Sequence, residues 1–208
     1  MIVSGKNIVV TGAASGIGKH VVTLLLQQGA KVLAVDKADL LLNTHPNLFI
    51  LQADISTSAA IDDLFTHAVD TLGGIDVFIA NAGFAYYEKL EQPDWQRMEA
   101  IYKVNVLSPI YSLKKLVQLN GDKPCSFVAV SSAMAYLGVP GYAQYAGTKG
   151  RYTVLWRPTV TSTTTAYTLW WCTPLPLKPT SLIRQVITFP LHGLRKNHKR
   201  LPRQWLMG

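Results

Sequence analysis

Cysteine is nearly missing from this 208-residue chain, which has only Cys125 and Cys172. Two cysteines build no disulfide framework and here stand at no metal-ligand spacing. A disulfide scaffold and a structural zinc are therefore excluded, no metal is expected, and the setting implied is a reducing cytoplasm. Long apolar runs are missing as well. None approaches the roughly 20 residues needed to cross a bilayer, and a strand-like run begins almost at once, so neither a membrane span nor a signal peptide is expected. There is no internal repeat. The length suits one domain with a full core.

The third absence is local. Residues 1–150 hold 11 Lys/Arg and 12 Asp/Glu, a net charge of −1, whereas residues 151–208 hold 9 Lys/Arg and no acid, a net charge of +9. The overall +8 therefore describes neither part. A basic tail can signal nucleic acid or a membrane surface, but neither partner is expected.

What the chain does have is glycine in a telling place. Asn7–Thr11 is a short β-branched run that reads as a buried strand, Gly12 breaks it, and Gly16 and Gly18 follow within the next turn. Lys19–Gln28 then carries apolar residues at helical spacing, with Ile17, Val21, Leu24 and Leu25 on one face. A strand feeding a glycine turn that opens a helix aims backbone N–H groups and the positive end of the helix dipole at one point, where a phosphate fits. A second strand, Lys31–Val35, ends on Asp36, 18 residues after Gly18. A carboxylate near that offset can accept hydrogen bonds from both ribose hydroxyls of NAD and repels a 2′-phosphate, although the neighbouring Lys37 blurs the choice against NADP.

The alternation continues. A link over Lys37–Asn47 leads to a third strand, Leu48–Gln52, and then Asp54, a carboxylate at a strand end that could take the adenine amino group. Ser58–Leu72 is an amphipathic helix with Ile61, Leu64, Phe65, Ala68, Val69 and Leu72 on its apolar face, stopped by Gly73-Gly74. Val77–Ala80 is a fourth strand, Pro93–Val106 and Leu107–Leu119 are two helical stretches, and Ser126–Val130 is a fifth strand. Strands alternating with helices predict an α/β fold of the Rossmann type, a doubly wound parallel sheet covered on both faces. Tyr145 and Lys149 stand four apart, so on a helix they share a face. An ammonium beside a phenol favours the phenolate, and such a tyrosine can pass a proton to a ketone or take one from an alcohol as hydride moves to or from a nicotinamide.

Thr11–Gly18 (TGAASGIG), Asp36, Asp54, Asn81–Gly83 (NAG), Asn105, Ser132 and Tyr145–Lys149 (YAGTK) together resemble the short-chain dehydrogenases/reductases. Order and spacing match too, with Ser132 lying 13 residues and Asn105 lying 40 residues before Tyr145. The resemblance runs over roughly residues 5–150 and implies an NAD-dependent oxidoreductase interconverting a secondary alcohol and a ketone. It implies that Tyr145 is the acid/base, that Lys149 tunes it and binds the nicotinamide ribose, that Ser132 holds the substrate oxygen, and that Asn105 anchors a water in the proton relay. It further implies that Gly12, Gly16 and Gly18, with Ser15 and Ile17 in the same turn, receive the pyrophosphate. Asp36 and Asp54 take the adenosine, and Asn81, Ala82 and Gly83 steady the sheet beside the cofactor. A homodimer or tetramer is the family's usual assembly. Phe84, Tyr86, Tyr87, Met134 and the segment Tyr136–Tyr142 suggest an apolar, aromatic substrate pocket.

After Gly150 the resemblance stops. Arg157-Pro158 would break the Tyr/Lys helix, Thr161–Thr165 is poor helix material, and no Pro-Gly stands where the family's sixth strand would end. Each codon can instead be started at the third base of the one written. Tyr167–Pro174 then permits an aliphatic strand with two forced valines, Leu175–Leu182 permits Val-Glu-Thr-Asp-Phe, and the residues after Gly150 permit Ala-Leu-His-Gly. The expectation is a reading-frame change near Gly150. Residues 1–150 are then a dinucleotide-binding domain carrying the active-site residues, and 151–208 are an atypical basic tail in place of that domain's C-terminal part. The sixth and seventh strands are put in question, and the positive charge becomes an accident of frame. Trp170, Trp171 and Trp205 would favour association. The alternatives are a divergent tail, and a catalytically impaired dinucleotide-binding remnant.

Overall fold

The computed structural model describes residues 3–88, 93–150 and 167–172, the last as backbone only. The element order is β1 (Asn7–Thr11), α1 (Gly16–Gln27), β2 (Lys31–Asp36), β3 (Leu48–Gln52), α2 (Ser58–Leu72), β4 (Val77–Ala80), α3 (Trp95–Tyr102), α4 (Ser108–Asn120), β5 (Cys125–Val130), α5 (Ala143–Gly150) and β6 (Tyr167–Cys172). The strands form one sheet in the order β3-β2-β1-β4-β5-β6, and every pairing is parallel. The chain winds outward from β1 to β3, then returns to the other side of β1 with β4. The order therefore reverses between β1 and β4, where a crevice opens at the carboxyl ends of the strands.

Period-two alternation in the strands divides the core into two layers. Ile8 and Val10 of β1 face Val21, Val22 and Leu25 of α1, while Val9 faces the opposite side with Leu64, Phe65 and Ala68 of α2 and Leu116 of α4. In that second layer Phe65, Phe78 and Phe127 stack as a column, with ring centres 5.5 and 5.4 Å apart. The helix ends follow local chemistry. Thr57 caps α2 by accepting from the Ala60 N–H, Gly73 ends it at φ +82°, and Asp94 caps α3 by accepting from the Arg97 N–H. Below the sheet, Asp76 accepts from Lys6 Nζ and from the Asn7 N–H, which ties the start of β1 to the approach to β4. Cys125 opens β5, and burial, with the Asp76 carboxylate second, pushes its thiol up to about 11, so it is inert.

Several boundaries differ from those read off the sequence. Helix α1 starts at Gly16, inside the glycine turn, and Val69 is half-buried rather than core. The two helical stretches expected to meet at Val106 and Leu107 are one path with a widened π-helical turn at Lys103–Leu107, where the Ser108 N–H bonds back to the Lys103 carbonyl. Proline explains the widening: an α-helical bond to the Asn105 carbonyl would come from the N–H of residue 109, and Pro109 has none. A sixth strand is present, with Tyr167–Cys172 pairing residue for residue with Cys125–Val130. The break expected at Arg157-Pro158, the seventh strand and the side chains of Trp170, Trp171 and Trp205 lie outside the described residues.

Candidate active site

Where β1 and β4 end, their loops are stitched together. Thr11 Oγ1 accepts from the N–H groups of Asn81 and Ala82, and Asn81 Nδ2 donates to the carbonyls of Thr11 (3.1 Å) and Gly12 (3.0 Å). This pulls the Asn81-Ala82-Gly83 segment onto the glycine turn and accounts for two of its glycines. A Cβ on Gly12 would sit 2.7 Å from Ala82 Cα, and one on Gly18 would run into the Gly12 carbonyl. Their immediate role is thus to let the turn pack against its own neighbours. The family resemblance has them receive the pyrophosphate, and the packing gives a second reason for glycine at both positions. Gly16 is different: its φ is +51° and a Cβ there would meet nothing, because it faces open space at the start of α1. That is where an anion would approach the first turn.

Asp36 closes β2 with Oδ2 accepting from the Ala14 N–H (2.9 Å) and Oδ1 from the Ala38 N–H (3.0 Å). Each oxygen spends one lone pair, which leaves capacity for hydroxyl donors. Asp54 Oδ1 accepts from the Ser56 N–H, so part of that carboxylate shapes the turn into α2.

On the other side of β4, Asn105 is fully buried in the π turn. Its Oδ1 accepts from the Phe84 N–H (3.1 Å), and its Nδ2 donates to the Phe84 carbonyl (2.9 Å) and to Thr148 Oγ1 (3.1 Å). Thr148 in turn donates to the Tyr145 carbonyl at 2.7 Å. One amide therefore couples the loop after β4 to the helix that carries Tyr145. Lys149, one turn on, is 4 % exposed and donates from Nζ to the Val130 carbonyl at 2.9 Å. Burial lowers its pKa to about 8. The ammonium lies 5.9 Å from the centre of the Tyr145 ring. Ser132 Oγ accepts from the Met134 N–H, holding the short turn Ala133–Ala135, and Ser131 Oγ donates to the Lys149 carbonyl.

These elements surround a cavity of about 510 Å³. Its lining includes Gly12, Ser15, Gly16 and Ile17 of the glycine turn, Asp36 and Asp54 from the ends of β2 and β3, Asn81, Ala82 and Gly83 after β4, and Tyr145 and Lys149 of α5. Gly18, Asn105 and Ser132 do not line it. Thr148, Val104 and the strand-end Thr11 were not singled out from the sequence. Thr148 had a signal, since it is a polar residue between Tyr145 and Lys149 that a helix turns inward. Lined by the glycine turn that opens α1 and by the carboxylates of Asp36 and Asp54, the cavity suits a dinucleotide. Among the described residues no group of three or more His, Cys, Asp or Glu is placed to hold a metal.

Comparison with known sequences agrees. The family described as short chain dehydrogenase matches residues 6–160, ten residues past the point where the resemblance read from the sequence stops. The chain belongs to the short chain dehydrogenases. An uncharacterised oxidoreductase of Staphylococcus saprophyticus is 32% identical over 157 residues, which cover 71% of this chain and 63% of the relative. The 15-hydroxyprostaglandin dehydrogenase [NAD(+)] of Rattus norvegicus is 33% identical over 161 residues, covering 72% of this chain and 58% of the relative. Among solved structures, the 3-ketoacyl-(acyl-carrier-protein) reductase of Brucella melitensis complexed with NADH matches with a TM-score of 0.68 at 26% identity, over 74% of this chain and 68% of that one. The chain thus spans about half to two thirds of the length of the curated relatives it matches. No helix among the described residues is long and apolar enough to cross a membrane.

Proposed function

We propose that this short chain dehydrogenase is a cytoplasmic, NAD-dependent oxidoreductase that interconverts a small secondary alcohol and its ketone, with Tyr145 as the acid/base. The observation that carries the reading is the burial of the Lys149 ammonium one helical turn from Tyr145, with both residues lining the cavity that contains the glycine turn. The nicotinamide supplies or accepts hydride. The protein's part is to hold and move the proton. Tyr145 Oη gives it to the carbonyl oxygen in reduction and takes it from the hydroxyl in oxidation, and the Lys149 charge favours the phenolate form. Ser132 would hold the substrate oxygen once its hydroxyl turns from the Met134 N–H. Asn105 fixes the spacing between the loop after β4 and the Tyr145 helix, and anchors a relay water. Gly12, Ser15, Gly16, Ile17 and Gly18 form the pyrophosphate turn. Asp36 receives the adenine ribose and disfavours NADP, Asp54 receives the adenine, and Asn81, Ala82 and Gly83 back the cofactor. Relatives named for NAD(+), for NADH, for a hydroxyprostaglandin and for a ketoacyl substrate support this reading.

A second reading is a chain that binds the dinucleotide but is catalytically impaired. Two observations favour it: the limited share of its relatives that it spans, and the position of Ser132 off the cavity. A thermal melt with millimolar NADH, then NADPH, tests the common part. A native-state binder at a hundredfold excess over Kd adds about 2.7 kcal/mol, so an upward shift larger with NADH is expected, and a melt indifferent to both dinucleotides refutes the proposal. Tyr145→Phe separates the two readings. Alcohol dehydrogenation by the wild type should fall by about two to four orders of magnitude in the variant. Activity that survives the change arises from another mechanism.

A further inference from the structure

One contact on the cavity wall has no part in that chemistry. The sheet order puts β1 between β2 and β4, so the glycine turn after β1 is flanked by the segments that leave β2 and β4. Strands two places apart are separated by about 10 Å. A dinucleotide lying over the turn would lie in that gap, and two side chains reach across it. Lys37 follows β2, Phe84 follows Asn81-Ala82-Gly83, both line the cavity, and Lys37 Nζ lies 5.8 Å from the centre of the Phe84 ring. This is cation–π distance. The ring side is fixed: Asn105 holds both the N–H and the carbonyl of Phe84, and Tyr86 packs edge-on against the ring at 5.1 Å, itself faced by the Arg97 guanidinium at 4.2 Å. The lysine side is exposed, on a long flexible stem.

We propose that Lys37 and Phe84 form a strap across the dinucleotide cavity, which must part for the dinucleotide to enter or leave and closes again over the bound molecule. The proposal rests on the dinucleotide reading above. A side chain that merely touches a ligand affects mainly its release. A strap closed in both the free and the bound protein slows entry and release alike and leaves the affinity nearly unchanged. Breaking an exposed cation–π contact should speed opening by about two- to fivefold.

The experiment follows NADH fluorescence in a stopped-flow instrument, with mixing for entry and a chase with excess NAD for release. Phe84→Leu is expected to accelerate both rates by about two- to fivefold, with Kd changed by less than twofold. Adding Lys37→Met to Phe84→Leu is expected to leave release where the single variant put it. If Phe84→Leu does not fold, Lys37→Met alone, at its exposed site, should speed release by the same factor. The strap is overturned if release quickens with entry unchanged, if the two substitutions multiply, or if neither changes a rate. A wild type that binds no NADH overturns the strap and the dinucleotide reading together. A wild type that binds, with any of the other three outcomes, overturns the strap alone.

Discussion

Replacing Lys149 by methionine removes a buried charge while keeping a long apolar stem, and the effect on stability can be worked out from the fold. The side chain is 4 % exposed, and burial lowers its pKa from 10.5 to about 8. In the unfolded chain the lysine keeps its ordinary value, so between about pH 8 and 10.5 the unfolded state binds a proton that the folded state does not. Wild-type stability therefore rises with pH through that window, and below pH 8 the full cost of the buried ammonium is present. At 1.36 kcal/mol per pH unit the cost is about 3 kcal/mol. Methionine at 149 binds no proton and lacks the rise. The stability of Lys149→Met relative to wild type should be highest near pH 7 and fall by about 3 kcal/mol by pH 10.5. Losing the bond from Nζ to the Val130 carbonyl offsets the difference equally at every pH where the amine donates. Tyrosines and other lysines that titrate in the same range cancel between the two proteins. Paired urea melts every half pH unit read the effect: with an m-value of about 2 kcal/mol/M, the midpoint difference should close by about 1.5 M. A difference that stays flat from pH 7 to 10.5 would mean that burial does not penalise the ammonium, and would refute the lowered pKa of Lys149.

Gly18→Ala places a methyl group against the Gly12 carbonyl inside the stitched turn. It should lower stability by about 1–3 kcal/mol in denaturant melts and weaken NADH binding, whereas Gly73→Ala, whose Cβ would meet nothing, should leave NADH binding unchanged. Asn105→Ala removes both backbone partners of Phe84 and one of Thr148. A loss of about 2–4 kcal/mol is expected from these buried groups, with hydrogen exchange at the Phe84 amide accelerated more than in β2. Sequencing the coding DNA tests the frame change near Gly150. An open shifted frame encoding an aliphatic strand across codons 167–174 is expected, and stop codons there would leave a divergent tail as the explanation.

How much could be read in advance follows from the range of the interactions. Strand and helix identities came from local pattern, the β-branched run of Asn7–Thr11 and the helical periodicity of Ser58–Leu72, each set by residues close in sequence. The glycine turn, Asp36 at its strand end and the Tyr145/Lys149 pair were legible for the same reason, since their geometry is fixed within a few residues. The sequence also carried the proline that widens the helix at Asn105, but its meaning needed the helix to be continuous through Pro109. What tertiary structure decided are the contacts between segments far apart in sequence. These are the Thr11–Asn81 stitch that explains Gly12 and Gly18, the Asn105 clamp on Phe84 and Thr148, the burial that lowers Lys149, and the meeting of Lys37 with Phe84. None of these has a spacing to read, because each depends on which strands lie side by side. That order follows from the packing of two apolar layers onto one sheet, a property of the whole domain rather than of any one segment.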